Sequence, residues 1–113
     1  MIKKWYDDQT ASVQAAMDAV KEYLEQRPRE QWRRPEFDKL SGRYSDLGEF
    51  RFKVGNVEYR PLGFFGPSRA DFTILIGASK KGRNYTPKDA LETALKRRKE
   101  VLGDMSRSKP YEL

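Results

Sequence analysis

The chain contains no cysteine and no histidine among its 113 residues. Without cysteine there is no disulfide, no zinc–thiolate site and no thiol nucleophile. Without histidine the chain lacks the usual acid–base group at physiological pH and the commonest metal ligand, which excludes Ser-His-Asp catalysis. Any catalysis must therefore depend on Lys, Arg, Tyr, Asp or Glu side chains, and we expect neither a metal ion nor another cofactor.

Long apolar runs are absent as well. No stretch is long enough to cross a bilayer, and the first residues, MIKKWYDD, lack the apolar core of a signal peptide. We therefore expect a cytoplasmic protein with no membrane partner. The length fits one domain with a modest core, which we assign to residues 1–103, followed by a flexible C-terminal tail at 104–113.

Positive charge is concentrated in the second half of the chain. The sequence has 23 Lys and Arg against 17 Asp and Glu, a net charge of +6. Residues 1–50 hold nine cations and ten carboxylates, whereas residues 51–113 hold 14 cations and seven carboxylates. A basic half on a small domain favours a phosphate backbone or an acidic protein as the partner.

Helical spacing of apolar residues marks both ends of the chain. One helix follows a cap at Thr10 or Asp8 and ends before Pro28, and a second, interrupted helical piece includes RRPEFDKLSG. The last helix begins with Thr86 as its N-cap and Pro87 in its first position. The segment SKKGRNY before it is expected to be a loop.

Between these helices the hydrophobic period changes to two. EFRFKV alternates strictly, Gly55 and Asn56 form a two-residue hairpin signal, VEYRPLGFF returns, and FTILIGAS is a buried strand. With IKKWY as a short first strand, the predicted order is β-α-α-β-β-β-α. The fold class is therefore α+β, a small, mainly antiparallel sheet with two N-terminal helices packed on one face and a C-terminal helix.

The hairpin turn at 55–56 fixes which side chains share a face. The core face is expected to carry Phe50, Phe52, Val54, Val57 and Tyr59. The other face carries Arg51, Lys53, Glu58 and Arg60. Two arginines directly opposite each other repel, and Glu58, paired with Lys53, does not neutralise them. This open, positive face suits a phosphate, and the end of the next strand can bring further residues to it: Lys80, Lys81, Arg83 and Tyr85.

Together these motifs resemble the RelE/ParE toxin superfamily, and most of all its HigB-like, phage-derived branch. The similar motifs are Glu-x-Arg at 49–51, Tyr-Arg-x-Leu-x-Phe-Phe at 59–65, Gly-x-x-Lys-Lys at 77–81, Thr-Pro at 86–87 and the basic helix at 94–98. The resemblance implies a RelE-like fold. It also implies an mRNA interferase, an endoribonuclease of a type II toxin–antitoxin system, with mRNA, the ribosome and a cognate antitoxin protein as partners.

The resemblance also implies roles for individual residues. The catalytic set is Arg51, Lys53, Arg60, Lys81 and Tyr85. The set expected to bind RNA is Lys80, Arg83, Arg97 and Arg98, although the run KRRK at 96–99 also fits a solvated helix face. Several branches use a histidine near the C-terminus, which this chain lacks, so we expect modest activity on free RNA and dependence on the ribosome.

The chemistry implied is attack of the RNA's own 2′-hydroxyl on the adjacent phosphate, without a metal ion. Arginine is too strongly basic to accept the proton, so Arg51 and Arg60 are expected to clamp the phosphate. Lys53 is the candidate general base, because neighbouring cations favour its neutral form. Tyr85 is expected to stack on a base or to donate a proton.

Two other functions stay open at this stage. One is a ParE-like toxin that inhibits gyrase by binding it, with no nuclease chemistry, although ParE-like members lack the basic residues on the hairpin strands. The other is a non-catalytic nucleic-acid-binding phage regulatory protein that uses residues 80–99 as a salt-sensitive patch.

Overall fold

The computed structural model describes residues 2–68 and 71–103, so the tail predicted at 104–113 lies outside the described residues. The segment IKKWY, predicted as a strand, is instead the helix α1 (Ile2–Asp7). Lys3 pairs with Asp7 at 2.9 Å, and Lys4 pairs with Asp8 at 3.1 Å. Side chains four residues apart meet on a helix but not on a strand, so these charges favour the helix.

The second helix, α2 (Ala11–Glu25), agrees with the prediction. Thr10 is its N-cap, and the Thr10 Oγ1 accepts a hydrogen bond from the Val13 N–H at 3.3 Å. The helix ends before Pro28, as expected. Its buried stripe consists of Val13, Met17, Val20 and Leu24.

The prediction of an interrupted second helix is wrong. Residues 29–44 form two short 3₁₀ turns around a strand: Arg29–Gln31, β1 (Phe37–Lys39) and Gly42–Tyr44. Trp32 donates its indole N–H to the Leu24 carbonyl at 2.9 Å, and Phe37 pairs with Phe50 of the next strand. Long-range pairing of the buried Phe37 thus outweighs the weak helical pattern of this segment.

The strands after β1 build an antiparallel α+β fold, as predicted. Their bounds are β2 (Gly48–Phe50), β3 (Phe52–Val54), β4 (Val57–Tyr59), β5 (Leu62–Phe65), β6 (Phe72–Ile76), β7 (Ser79–Lys81) and β8 (Asn84–Thr86). They form two four-stranded sheets in the orders β1-β2-β5-β6 and β3-β4-β7-β8. Every pair of neighbouring strands is antiparallel.

The second sheet continues the strands of the first. β2 runs into β3 at Arg51, and β4 runs into β5 at 60–61. Between the ladders, the Phe50 N–H donates to the Pro61 carbonyl at 2.9 Å, and the Arg60 N–H donates to the Ala78 carbonyl at 2.7 Å. The predicted register is confirmed, with Phe52 opposite Tyr59. Arg51 and Arg60 therefore lie where the two sheets meet.

A second hairpin occupies the segment SKKGRNY, which was expected to be a loop. Strands β7 and β8 flank a two-residue turn that begins with Gly82, at a φ of 59°, just as Gly55, at a φ of 60°, begins the turn between β3 and β4. Both turns place a glycine first, where a positive φ is required and a side chain is disfavoured. The hairpin carries Tyr85 back toward the sheet junction.

The third helix, α3 (Ala90–Gly103), begins later than predicted. Thr86 is the last residue of β8 and pairs with Ser79, so it belongs to the sheet and is not the helix cap. The Thr93 N–H donates to the Asp89 carbonyl at 2.8 Å, which makes the first helical turn start there. The helix packs on β5 and β6 through the fully buried Ala90 and Ala94.

Two hydrophobic clusters lie on opposite faces of the strands. The face toward α1 and α2 holds Phe37, Phe50 and Phe52 with the buried stripe of α2, and the face toward α3 holds Leu62, Phe64 and Leu75. Val57, expected in the core, is 43% exposed. The sheet junction with its arginines faces the α3 side.

Candidate active site

A buried carboxylate lies at the junction of the two sheets. Glu49, in β2, is 1% exposed. Its Oε2 accepts a hydrogen bond from Arg51 Nη1 at 2.7 Å, and its Oε1 accepts one from the Tyr85 hydroxyl at 2.7 Å. Oε2 also lies 3.9 Å from Nε of Arg60. A buried carboxylate is costly unless it is paired and hydrogen-bonded, so Glu49 and these three partners form one structural unit.

The two arginines predicted to clamp a phosphate differ in exposure. Arg60 is 5% exposed, and it donates to the Tyr59 carbonyl through Nη1 and to Glu58 Oε1 through Nη2. The Arg51 side chain keeps 19% of its surface exposed beside Glu49. The expectation of an open, uncompensated arginine pair is therefore wrong, because Glu49 shares their face and balances their charge.

A line of exposed and partly exposed charged side chains crosses the strands next to this buried unit. In the strand register, Glu58 of β4 lies opposite Lys53 of β3 and opposite Lys80 of β7. Lys80 in turn lies opposite Tyr85 of β8. Residues directly opposite each other on neighbouring strands share a face, so these side chains lie side by side. The Lys80 Nζ is 4.9 Å from the centre of the Tyr85 ring. We call Lys53, Glu58 and Lys80 the charged row.

The electrostatics of the charged row favour an anion. The hydrogen bond from Arg60 holds the pKa of Glu58 below its usual range, and the positive charges of Lys53 and Arg51 act in the same direction. Among the described residues of this face, four cations lie against two carboxylates. Ammonium and guanidinium groups bind phosphate oxygens strongly, so the remaining positive charge suits a phosphate.

Two other predicted cations do not join the charged row in the same way. Successive residues of a strand point to opposite faces, so Lys81, which pairs with Asn84, lies on the face away from Lys80. The expectation that Lys81 shares the hairpin's charged face is therefore wrong. Arg83 is exposed in the turn between β7 and β8, beside Gly82.

The two arginines of α3 connect the helix to neighbouring segments. Arg97 donates to the Leu75 carbonyl of β6 at 2.9 Å. Arg98 lies 5.5 Å from the centre of the Phe64 ring and 3.6 Å from Asp46 Oδ2. These contacts show that neither side chain is simply solvated, and the RNA-binding role of the pair stays a prediction.

Tyr85 has a supporting position. It is 9% exposed, and its hydroxyl proton is donated to Glu49. Burial, followed by the hydrogen bond to Glu49, raises the pKa of the Tyr85 hydroxyl far above its usual value. A hydroxyl held in this way orients Glu49 and does not exchange a proton with a substrate, so the structure disfavours the predicted catalytic role.

Replacing Tyr85 by phenylalanine should lower the free energy of unfolding by about 1–3 kcal/mol, because Glu49 loses a hydrogen-bond donor inside the core. Tyr44→Phe is the matched control, since its hydroxyl donates to Glu92 at an exposed position. That change should cost less than about 0.5 kcal/mol. Urea denaturation of both variants measures the difference, and equal costs would contradict the role assigned to Tyr85.

Tyr85→Phe should also change how the stability of the protein depends on pH above about pH 10. Because the pKa of Tyr85 is raised in the folded state, the stability it contributes is fully present below about pH 10, its unfolded value, and is lost as the pH rises further. The wild type should therefore lose stability above about pH 10 more steeply than Tyr85→Phe. Thermal unfolding across this range tests the sign, and parallel losses would overturn it.

Sequence reasoning identifies most cations of the site but not the roles of Glu49 and Glu58. Strand alternation contains part of the signal, since Glu49 precedes Arg51 by two residues and so shares its face. The burial of Glu49 cannot be obtained in that way. It depends on Tyr85, which arrives from a hairpin 36 residues further along the chain.

Other kinds of site are not indicated in the described part of the chain. Residues 2–68 and 71–103 contain no group of three His, Cys, Asp or Glu side chains placed to share a metal ion. Over the same residues, each helix is too short or too polar to serve as a bilayer span. The groups available for chemistry at the sheet junction are paired carboxylates, ammonium groups and guanidinium groups.

Comparison with known proteins identifies the family. Residues 4–99 match the family model described as phage-derived protein Gp49-like (DUF891). No curated protein and no solved structure matches the chain significantly. The matched segment contains the charged row, the buried unit around Glu49 and nearly all of α3. The chain therefore belongs to the Gp49-like family of phage-derived proteins, a family related to toxins of the RelE and HigB type.

Proposed function

We propose that this protein is the toxin of a type II toxin–antitoxin system and acts as an mRNA interferase, an endoribonuclease that cleaves mRNA. The observation that carries the proposal is the charged row beside Arg51, an exposed positive surface fixed on four paired strands. Membership of the Gp49-like family supports it, because that family is generally associated with the toxins of toxin–antitoxin systems.

The proposed reaction is an internal transesterification of the RNA that uses no metal ion. The 2′-oxygen forms a bond to the adjacent phosphorus as the bond from phosphorus to the 5′-oxygen breaks. The 2′-hydroxyl proton passes to a base, and the 5′-oxygen gains a proton from water. The products are a 2′,3′-cyclic phosphate and a 5′-hydroxyl end. The protein contributes positioning and stabilisation of charge on the non-bridging oxygens.

The burial of each cation decides its part in this reaction. Arg51, Lys53 and Lys80 are the exposed or partly exposed cations of the face, so they contact the phosphate. Arg60 is buried and is bound to Glu58, so it acts as a positioning residue. This division replaces the two equal clamps expected from the sequence.

We propose two partners for the toxin, the ribosome and an antitoxin protein. With no histidine anywhere in the chain, the site lacks a group that changes protonation near neutral pH. We therefore propose that it acts in the cytoplasm on ribosome-bound mRNA, where the ribosome arranges the substrate, and that its activity on free RNA is modest. The cognate antitoxin covers the charged row with an acidic segment.

Inducible expression with mapping of mRNA 5′ ends tests the function. Expression of the wild type should arrest growth and create new 5′ ends, whereas Lys80→Ala should weaken both effects. Lys39→Ala, at an exposed position of β1, is the control and should behave as the wild type does. Lys81→Ala should have a smaller effect than Lys80→Ala, since the two lysines lie on opposite faces of β7.

Two outcomes would contradict the proposal and favour its rivals. Growth arrest with DNA damage and intact mRNA would indicate a gyrase inhibitor. RNA or DNA binding that falls steeply with salt, without cleavage products, would indicate a non-catalytic regulatory protein.

A further inference from the structure

Glu58 can do what the cations of this face cannot, because its carboxylate can accept a proton. Its side chain is 50% exposed, and it stands between Lys53 and Lys80 in the charged row. Glu49, the other carboxylate of this face, is buried and both of its oxygens are occupied. Among the described residues of the face, Glu58 is therefore the carboxylate that an RNA can reach.

The proposed cleavage needs a group that accepts the proton of the 2′-hydroxyl. Arg51 and Arg60 are guanidinium ions with no free acceptor. Tyr85 has its hydroxyl turned to Glu49 in the core. The ammonium groups of Lys53 and Lys80 are hydrogen-bond donors with no free acceptor, whereas a carboxylate can accept a proton.

We propose that Glu58 is the general base of this site, an inference that rests on the proposed ribonuclease function. Lys53 on β3 and Lys80 on β7 flank it, so a phosphate held by these lysines lies next to the carboxylate. Glu58 replaces Lys53 in the role of base. Lys53, whose charge is exposed, then binds the phosphate.

Arg60 orients this base. Its Nη2 donates to Oε1 of Glu58, while Nη1 is fixed on the Tyr59 carbonyl and Nε lies near Glu49. The buried unit thus anchors one end of Arg60, and the other end holds the carboxylate at the surface. A side chain tied in this way loses less freedom when the substrate binds.

The charges around Glu58 keep it ionised and ready. Arg60, Lys53 and Arg51 lower its pKa, so it holds no proton at neutral pH. An arriving phosphate brings negative charge next to it, which raises the proton affinity of the carboxylate when the substrate is in place. The charged groups that face Glu58 are Lys53, Arg51 and Lys80 from neighbouring strands and Arg60 from the continuation of its own strand.

The test is single-turnover cleavage of a defined mRNA on programmed ribosomes by purified full-length protein. Glu58→Gln keeps the size of the side chain and can still accept the hydrogen bond from Arg60. We expect the cleavage rate to fall by about 100-fold or more, with RNA binding unchanged or tighter because a negative charge is lost. Glu22→Gln, exposed on α2, is the matched control and should cleave as the wild type does.

The pH dependence separates the two candidate bases. With Glu58 as base, the wild-type rate should be flat from about pH 6 to pH 9, because the carboxylate is ionised throughout. A lysine base would give a rate that rises with pH over this range, about tenfold per unit. A rising profile would overturn the inference.

The remaining outcomes distinguish this inference from the function on which it rests. If the wild type cleaves and Glu58→Gln cleaves equally fast or faster, Glu58 is not the base, and the ribonuclease function stands. Faster cleavage would mean that Glu58 only blocks Arg60. If the wild type does not cleave mRNA at all, the proposed function fails, and the assignment of a base fails with it.

Discussion

Replacing Glu49 by alanine should lower the free energy of unfolding by about 3–5 kcal/mol. The substitution leaves Arg51 and Arg60 close together without the carboxylate that lies 2.7 Å from one and 3.9 Å from the other. It also leaves the Tyr85 hydroxyl without its acceptor in the core. Breaking a buried ion pair from one side is costly because the remaining charge stays desolvated.

A surface ion pair provides the control for this prediction. Asp7→Ala removes the partner of Lys3, in a pair whose side chains are 53% and 79% exposed. That change should cost about 0.3–0.5 kcal/mol. Glu49→Gln should fall between the two, since its amide keeps the shape but loses the charge. Urea denaturation measures all three variants, and a loss below about 1 kcal/mol for Glu49→Ala would contradict the structural role of Glu49.

Replacing Arg51 by glutamine should lower the rate of mRNA cleavage by about 100- to 1,000-fold. Arg51 is the arginine of the face that keeps an exposed part, and Glu49 fixes its guanidinium at 2.7 Å. The glutamine amide can still donate to Glu49, so the fold is perturbed less than it is by alanine. The positive charge that we propose stabilises the phosphate oxygens is nevertheless lost.

Arg51→Lys serves as the comparison, because it restores the charge without the planar fork that binds two oxygens. Its cleavage rate should lie between those of the wild type and Arg51→Gln. The measurement is single-turnover cleavage on programmed ribosomes, with the unfolding midpoint of each variant determined in parallel. A folded Arg51→Gln that cleaves at the wild-type rate would remove Arg51 from the site.

Local patterns were sufficient for the hairpin at the centre of the fold. Strict alternation on both sides of 55–56 fixes the register that pairs Lys53 with Glu58, and the structure has that register. Thr10 as a helix cap is also a local signal, because a side-chain oxygen near the first free N–H groups has few other roles. Such features depend on residues only a few positions apart.

The predictions that the structure contradicts failed for a different physical reason. Phe37 lies in a strand because Phe50 and the α2 side of the core receive its ring, which no pattern within RRPEFDKLSG reveals. Thr86 followed by Pro87 has the composition of a helix start, yet pairing of β8 with β7 extends the strand to Thr86. In both cases contacts between distant segments outweigh local propensity.

The candidate site shows the same division. Its cations follow from strand alternation and from the excess of positive charge after residue 50. The burial of Arg60 and Glu49 does not follow, because it depends on the β7–β8 hairpin, which brings Tyr85 onto Glu49 at the sheet junction. Glu58, whose charge was expected only to balance Lys53, proves to be the accessible carboxylate beside a fixed arginine.

We propose that this protein cleaves mRNA by attack of the RNA's own 2′-hydroxyl. The most direct test is to identify the ends of the fragments released from programmed ribosomes by the purified protein, with Arg51→Gln in parallel. We predict a 2′,3′-cyclic phosphate on the upstream fragment and a 5′-hydroxyl on the downstream fragment, both reduced strongly in the variant. Fragments with a 3′-hydroxyl and a 5′-phosphate, or intact mRNA with the wild type, would contradict this mechanism.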